Sequence, residues 1–308
     1  MESGPPPTDP RAPSGRDVGS DRGIAIALIA LIQPTFLGPA VAMALVGGAL
    51  APTLDPWVLG LHAGAVGLAV YVAHLRDAFV DRFVRREEPA GGTTPDTLRT
   101  ALLVVSIAFL AVVSALWTAT GPIAAVVTVP LWVLAIAHAP YFDTGPVGVT
   151  VDYAVGVAIA LLGAYVLQTG RLSAGIVGTA VVYLIVLSAV KVSVDGLDHA
   201  FDRSIGKRTV PVAIGPANAD RFAAVSFALA GVVTVVLAAG GALPIRSAIA
   251  SVVLGLAAAA VFVRPRRRAV RLQIACVYPF SALFLGSLCV DANAVCGTGI
   301  AWLLPSLV

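Results

Sequence analysis

The stretch SAGIVGTAVVYLIVLSAVKVSVDGLDHAFDRSIGKRTVPVAIG, residues 173–215, joins two kinds of sequence that seldom meet in a soluble protein. Up to Val194 it is dominated by Ala, Val, Leu and Ile. That run is long enough to cross a hydrocarbon core, which takes about 20 helical residues. It then turns acidic at Asp195, Asp198 and Asp202 and ends in a basic run from Arg203 to Gly215. Carboxylates beside hydrocarbon are costly and mark function where they occur. The stretch therefore reads as a membrane span that delivers three carboxylates to one membrane face.

The rest of the chain has the same character. Of 308 residues, 58% are hydrophobic and 12% charged, with a mean hydropathy of +0.92. A soluble domain carries about 25% charged residues, so a polar shell for a soluble core is missing. Spans are expected near 23–50, 57–76, 99–118, 121–139, 150–168, 173–194, 217–240, 245–263 and 271–291. Proline within them (Pro34, Pro39, Pro130) is tolerable, because neighbouring helices re-satisfy freed backbone groups. The predicted fold is an all-α membrane protein of about nine transmembrane helices, occupying 23–308. Residues 296–308 are apolar but short, and are expected at the far interface. Residues 1–22, rich in Pro, Gly, Ser, Asp and Arg, read as a disordered cytosolic tail. A signal peptide is a poorer reading, because the apolar run from Ile24 to Leu50 is too long for one.

Basic residues orient the bundle. With the N-terminus inside, one face receives Arg11, Arg16 and Arg22, then Arg82, Arg85, Arg86 and Arg99. The same face receives Arg203, Lys207, Arg208 and Arg221, and finally the run Arg264 to Arg271. The opposite face receives only Arg171 and Arg246. Short cytosolic loops carry such an excess, which places the chain in the cell membrane with its acidic face toward the cytosol. The Arg264–Arg271 run reads as a loop that attracts anionic membrane lipid, not as a nucleic-acid site. Cys276, Cys289 and Cys296 lack metal-type spacing. Cys289 and Cys296 fall near the outer end of the last span, where a disulfide can form; buried, free thiols are the favoured expectation.

A second acidic group, Asp77 and Asp81, ends the second span, and this topology puts it on the same face as Asp195, Asp198 and Asp202. Spacings of i,i+3 and i,i+4 place each set on one helix face. Like charges so close destabilise a helix unless a cation sits between them. Oxygen ligands without Cys point to a hard cation, and Mg²⁺ suits one or two carboxylates plus phosphate oxygens. Two such groups across a cavity would hold a diphosphate. The basic residues Lys207 and Arg208 can neutralise phosphate oxygens, and Gly206 permits a close turn. Taken singly, each group also fits a solvated helix end paired with arginines.

The run Asp195-x-x-Asp198-x-x-x-Asp202-x-x-x-Gly206-Lys-Arg-Thr209-Val-Pro211-Val, closing at Gly215, resembles the second aspartate motif and Gly-(Lys/Arg)-Thr-Leu-Pro-Val loop of the UbiA prenyltransferases. The resemblance implies Mg²⁺ on Asp77, Asp81, Asp198 and Asp202, with catalysis resting on the same four. It implies an isoprenyl diphosphate held by Arg86, Lys207 and Arg208, with Asp195 orienting the ligands. The implied reaction, transfer of an alkyl or aryl group other than methyl, passes the isoprenyl group to a lipophilic acceptor: a quinone precursor, glycerol-phosphate lipid, carotenoid or tetrapyrrole.

The first window departs from the family's Asn-Asp-x-x-Asp-x-x-x-Asp pattern, with Ala73 and His74 at its first two positions and Glu87 at a later Thr. His74 is either a replacement ligand or a packing residue, and packing is expected. After the fourth span Tyr141 is a candidate pocket residue, but the family's Leu-Lys pair is absent. Two further readings stand beside the enzyme. A silent relative that binds prenyl lipid is suggested by Ala73 and His74. A secondary transporter would place its carboxylates nearer the midplane.

In intact cells, a cysteine in Arg268→Cys should be protected from impermeant thiol reagents, and one in Arg171→Cys should be labelled. The reverse pattern would overturn the orientation.

Overall fold

In the computed structural model, which describes residues 21–290, the order is α1 (Asp21–Ala30), α2 (Pro34–Ala49), α3 (Pro56–Phe79), α4 (Pro95–Thr120), α5 (Ile123–Ala137), α6 (Pro146–Thr169), α7 (Ala174–Ser204), α8 (Val210–Ile214), α9 (Pro216–Ala239), α10 (Ser251–Val263) and α11 (Arg266–Cys289). Single π-helical turns, Val80–Val84 and His138–Phe142, extend α3 and α5, and a 3₁₀ segment, Ile245–Ala250, leads into α10. Side-chain oxygens and prolines start the long helices, as free N–H groups require. Asp55 accepts from the N–H of Trp57 (2.9 Å) and Val58 (3.1 Å) below α3. Thr94 accepts from Thr97 (3.1 Å) below α4, and Ser173 from Ile176 (3.3 Å) below α7. Gly170, left-handed at φ 69°, ends α6.

Among the described residues, eight helical stretches are long and apolar enough to cross a membrane, and α1 with α2, bent by 62° between them, makes a ninth if the pair is one span. The all-α architecture is as expected, with one difference. The first span is broken, because Gln33 before Pro34 is forced into extended backbone (φ −101°, ψ 97°). Helix α3 and its π turn run to Val84, and α7 runs to Ser204. Both acidic groups thus ride on helices continuous with spans, not on loops beyond them. Of the expected tail, Asp21 and Arg22 belong to α1 and the remainder lies outside the described residues, as do residues 296–308 and Cys296. Cys276 is free and buried, as expected. Cys289 is disulfide-bonded, against the expectation of a free thiol.

Helices α2–α6 pack on one another, α7 packs with α9 and α11, and α6 on α7 joins the two groups. Branched side chains such as Leu103, Ile107, Val225 and Val232 face outward, whereas Ala44, Ala65, Ala160, Ala189 and Ala230 fill the interior. Small residues inside allow close backbone approach where lipid supplies no hydrophobic drive. The tightest approach is α2 on α6: a Cβ on Gly47 would stand 2.2 Å from the Leu161 carbonyl oxygen. His62 is fully buried between Thr128 Oγ1 (3.2 Å) and the Ala160 carbonyl (3.1 Å), tying α3 to α5 and α6.

Gly47→Ala should lower the melting temperature of the detergent-purified protein by an overpacking cost of about 1–3 kcal/mol. Gly60→Ala, where an added Cβ meets nothing within 4 Å, should be neutral or stabilising. Equal melting temperatures for wild type and Gly47→Ala would contradict the close α2–α6 contact.

Candidate active site

Asp77 lies in the last turns of α3 and Asp81 in the π turn that follows. A third carboxylate reaches them from α5. That helix ends in a second π turn containing Ala139 in extended backbone (φ −114°, ψ 132°), which turns the chain so that Asp143 comes back toward α3. Two arginines fasten this return. Arg76 Nε donates to the Ala139 carbonyl (2.9 Å). Arg85 donates to both oxygens of buried Asp143 (2.5 and 2.8 Å) and lies 3.5 Å from Asp81. The bonds to Asp143 raise the Arg85 pKa above its ordinary value, so this guanidinium is a fixed positive charge. Carboxylate oxygens of Asp77, Asp81 and Asp143 lie within 4.8 Å of one another.

His138 closes one wall of this group. Its Nδ1 bonds to Asp152, and its Nε2 stands 3.8 Å from Asp77 Oδ1. Asp152 is buried on α6, and its second oxygen accepts from the Tyr153 N–H (2.6 Å).

The second acidic group lies on the last turns of α7. Asp195 is buried and accepts from Lys191 Nζ at 2.5 Å. Asp202 is buried and accepts from Thr209 Oγ1 at 3.1 Å. Asp198, between them, is exposed. Gly206 at φ 78° allows the turn that carries Lys207 back, where its N–H bonds to the Asp202 carbonyl (2.9 Å). Short α8 then packs on α6, α7 and α9 and fixes this loop. The Lys207 ammonium acts electrostatically on Asp77, Asp81 and Asp195 alike.

The donor set suits a hard divalent cation. It is all oxygen within the trio, and Asp81 Oδ1 is buried without a hydrogen-bond partner. That is an atom a metal would satisfy.

The residues singled out from the sequence divide clearly. Asp77 and Asp81 converge, whereas Asp195, Asp198 and Asp202 lie along the last turns of α7 and Lys207 in the turn that follows. Arg208 is exposed, and Arg86 is exposed with a left-handed backbone (φ 59°), so carboxylate contact falls to its neighbour Arg85. Tyr141 is 71% exposed at the rim. His74 lies edge-on to Phe36 (centroids 6.1 Å apart), with its Nδ1 buried and without a hydrogen-bond partner. Sequence reasoning missed Asp143, Arg85, His138, Asp152 and Lys191 as members of the site. Asp143 and Asp152 obey the rule that exposed the others, being carboxylates near the ends of apolar spans.

Arg85→Ala should destabilise the purified protein markedly, because it strands the buried Asp143 charge. Arg85→Ala/Asp143→Asn should melt at a higher temperature than Arg85→Ala alone. A double variant no more stable than the single one would contradict the pairing.

No protein-family model and no curated protein matches the sequence. The fold does match solved structures. Digeranylgeranylglyceryl phosphate synthase superposes with a TM-score of 0.65 at 16% identity, covering 86% of this chain and 98% of that one. A UbiA homologue from Archaeoglobus fulgidus, bound to GPP and Mg²⁺, gives 0.61 at 14% identity, covering 86% and 99%. A UbiA homologue from Aeropyrum pernix K1 gives 0.59 at 17% identity, covering 85% and 98%. Over nearly all of its described length, the chain has the fold of these UbiA homologues and of the synthase.

Proposed function

We propose that the chain is an intramembrane prenyltransferase of the UbiA type, moving an isoprenyl group from its diphosphate to a lipophilic acceptor with Mg²⁺ assistance. The observation that carries this reading is the acidic trio of Asp77, Asp81 and Asp143 at one end of the bundle. Neighbours of the same fold bind GPP or DMAPP with Mg²⁺.

Asp77, Asp81 and Asp143 would hold metal on one side, and Asp198 and Asp202 on the other. When bound, Mg²⁺ supplies positive charge to the departing diphosphate. Lys207, with Arg208 and Arg86 from the rim, adds positive charge to the same phosphate oxygens. Lys191 holds Asp195 in place beside them. The allylic C–O bond breaks with its electron pair leaving on diphosphate. An acceptor carbon or oxygen supplies the pair for the new bond and then loses a proton. Apolar walls keep water from the allylic cation. Tyr141 would meet substrate at the entrance.

The acidic end is assigned to the cytosol. Nearly all Lys and Arg fall at that end, and disulfide-bonded Cys289 falls at the other, where an oxidising compartment would preserve it.

The test is pyrophosphate release by the purified protein from an isoprenyl diphosphate, with a membrane lipid extract as acceptor source. Release should require Mg²⁺. It should fall about 100-fold or more in Asp77→Ala, Asp198→Ala and Asp202→Ala, the scale of losing one electrostatic stabiliser. Full release by Asp77→Ala/Asp198→Ala would overturn the two-sided site. Diphosphate binding without release would identify a silent relative, the reading that Ala73 and His74 favour.

A further inference from the structure

We propose that Lys191 is a specificity-determining residue of this site, holding an acidic group, carboxylate or phosphate, on the acceptor that takes the isoprenyl group. The inference rests on the prenyl-transfer reading above and deepens it.

Position along α7 is the first observation. Lys191, Asp195, Asp198 and Asp202 follow one another at intervals of four, three and four residues. At 3.6 residues per turn, such a series stays on one face of a helix. The lysine therefore shares its face with the three carboxylates and is the innermost of the four. It stands seven residues before Asp198, about 10 Å deeper at a rise of 1.5 Å per residue. Beyond it the same face continues as half-buried Leu187 and Leu184. Lys191 thus marks the level where the polar end of this face gives way to its apolar part. An acceptor has to bring its nucleophilic atom within about 3.5 Å of the allylic carbon. Its own polar group then falls near this level, below the diphosphate.

The hydrogen bonding of Lys191 is incomplete. An ammonium has three N–H donors. One goes to Asp195 at 2.5 Å, and among the described residues the lysine has no other acceptor. The two partners also differ in exposure: the Lys191 side chain is 32% exposed and that of Asp195 only 7%. The carboxylate is enclosed, while the lysine keeps open surface. An ionisable group in a membrane span is costly and marks a substrate path or binding site where it occurs. Spare ammonium donors at this depth favour a negatively charged oxygen, which forms the shorter and stronger bond. A quinone precursor bearing a carboxylate, or a glycerol-phosphate lipid, supplies that group. A hydrocarbon carotenoid does not.

The test is calorimetric binding of acceptor probes to the full-length, detergent-purified protein loaded with Mg²⁺ and an isoprenyl thiodiphosphate. The probes are a hydroxybenzoic acid with its methyl ester, and a short-chain glyceryl ether phosphate with the same ether lacking phosphate. Wild type should bind one of the two acids about 10–100-fold more tightly than its neutral counterpart, the worth of a hydrogen bond to a charged group. Which acid is bound distinguishes carboxylate from phosphate. In Lys191→Met the ratio should fall to about one, and Lys191→Arg should retain it. Because Lys191→Met strands the Asp195 charge, Lys191→Met/Asp195→Asn is measured beside it and should show the same loss of preference. Equal affinity of wild type for acid and neutral probe, or a preference that survives in both methionine variants, would overturn the proposal. Binding of thiodiphosphate but of neither acid would overturn it too, leaving the prenyl-transfer reading in place. Failure to bind thiodiphosphate with Mg²⁺ would remove that reading and this proposal together.

Discussion

Carboxylate oxygens of Asp77, Asp81 and Asp143 lie within 4.8 Å of one another at the end of an apolar bundle. Three carboxylates so close and poorly hydrated would repel one another strongly if all were ionised. Much of the local structure answers that repulsion. Arg85 clamps Asp143 and lies beside Asp81, and His138 stands against Asp77. These partners still leave Asp81 Oδ1 buried without a hydrogen bond. An arrangement with such an opening is suited to take a cation and the anion that accompanies it.

The helices are interrupted where this site needs them to be. Both π turns, Val80–Val84 and His138–Phe142, fall at its edge, and π-helical turns are frequently found at functional sites. Asp81 lies within the first of these turns, and the extended Ala139 in the second turns the chain so that Asp143 comes back toward Asp77. Away from this end the helices pack through small residues, as at Gly47 on Leu161. A rigid scaffold of this kind keeps ligand positions from drifting when charge is added or removed.

Local spacing made part of this legible in the sequence. Asp77 with Asp81, and Asp195 with Asp198 and Asp202, declare themselves through i,i+3 and i,i+4 periods at the ends of apolar runs. The bundle followed from those runs, and the bend at Gln33–Pro34 was available from the proline itself. Asp143, His138 and Asp152 carry no such period. His138 and Asp143 join the site through a turn fastened by Arg76 and Arg85 from α3 and the turn after it, and Asp152 joins from α6 through its bond to His138. Lys191 was hidden differently: one turn before Asp195, it sits inside the apolar run and looks like a stray charge until its ammonium is found on that carboxylate. Arg85 and Arg86 are adjacent, and only the left-handed backbone at Arg86 decides which of them faces the acidic trio.

The central claim is that this end of the bundle grips a diphosphate through a divalent cation. Its most direct test is calorimetric binding of an isoprenyl thiodiphosphate, which resists cleavage, to the purified protein with and without Mg²⁺. Saturable binding at one equivalent that disappears in the presence of chelator and in Asp77→Asn is the predicted result. Binding of equal strength without the metal, or unchanged in Asp77→Asn, would contradict the account.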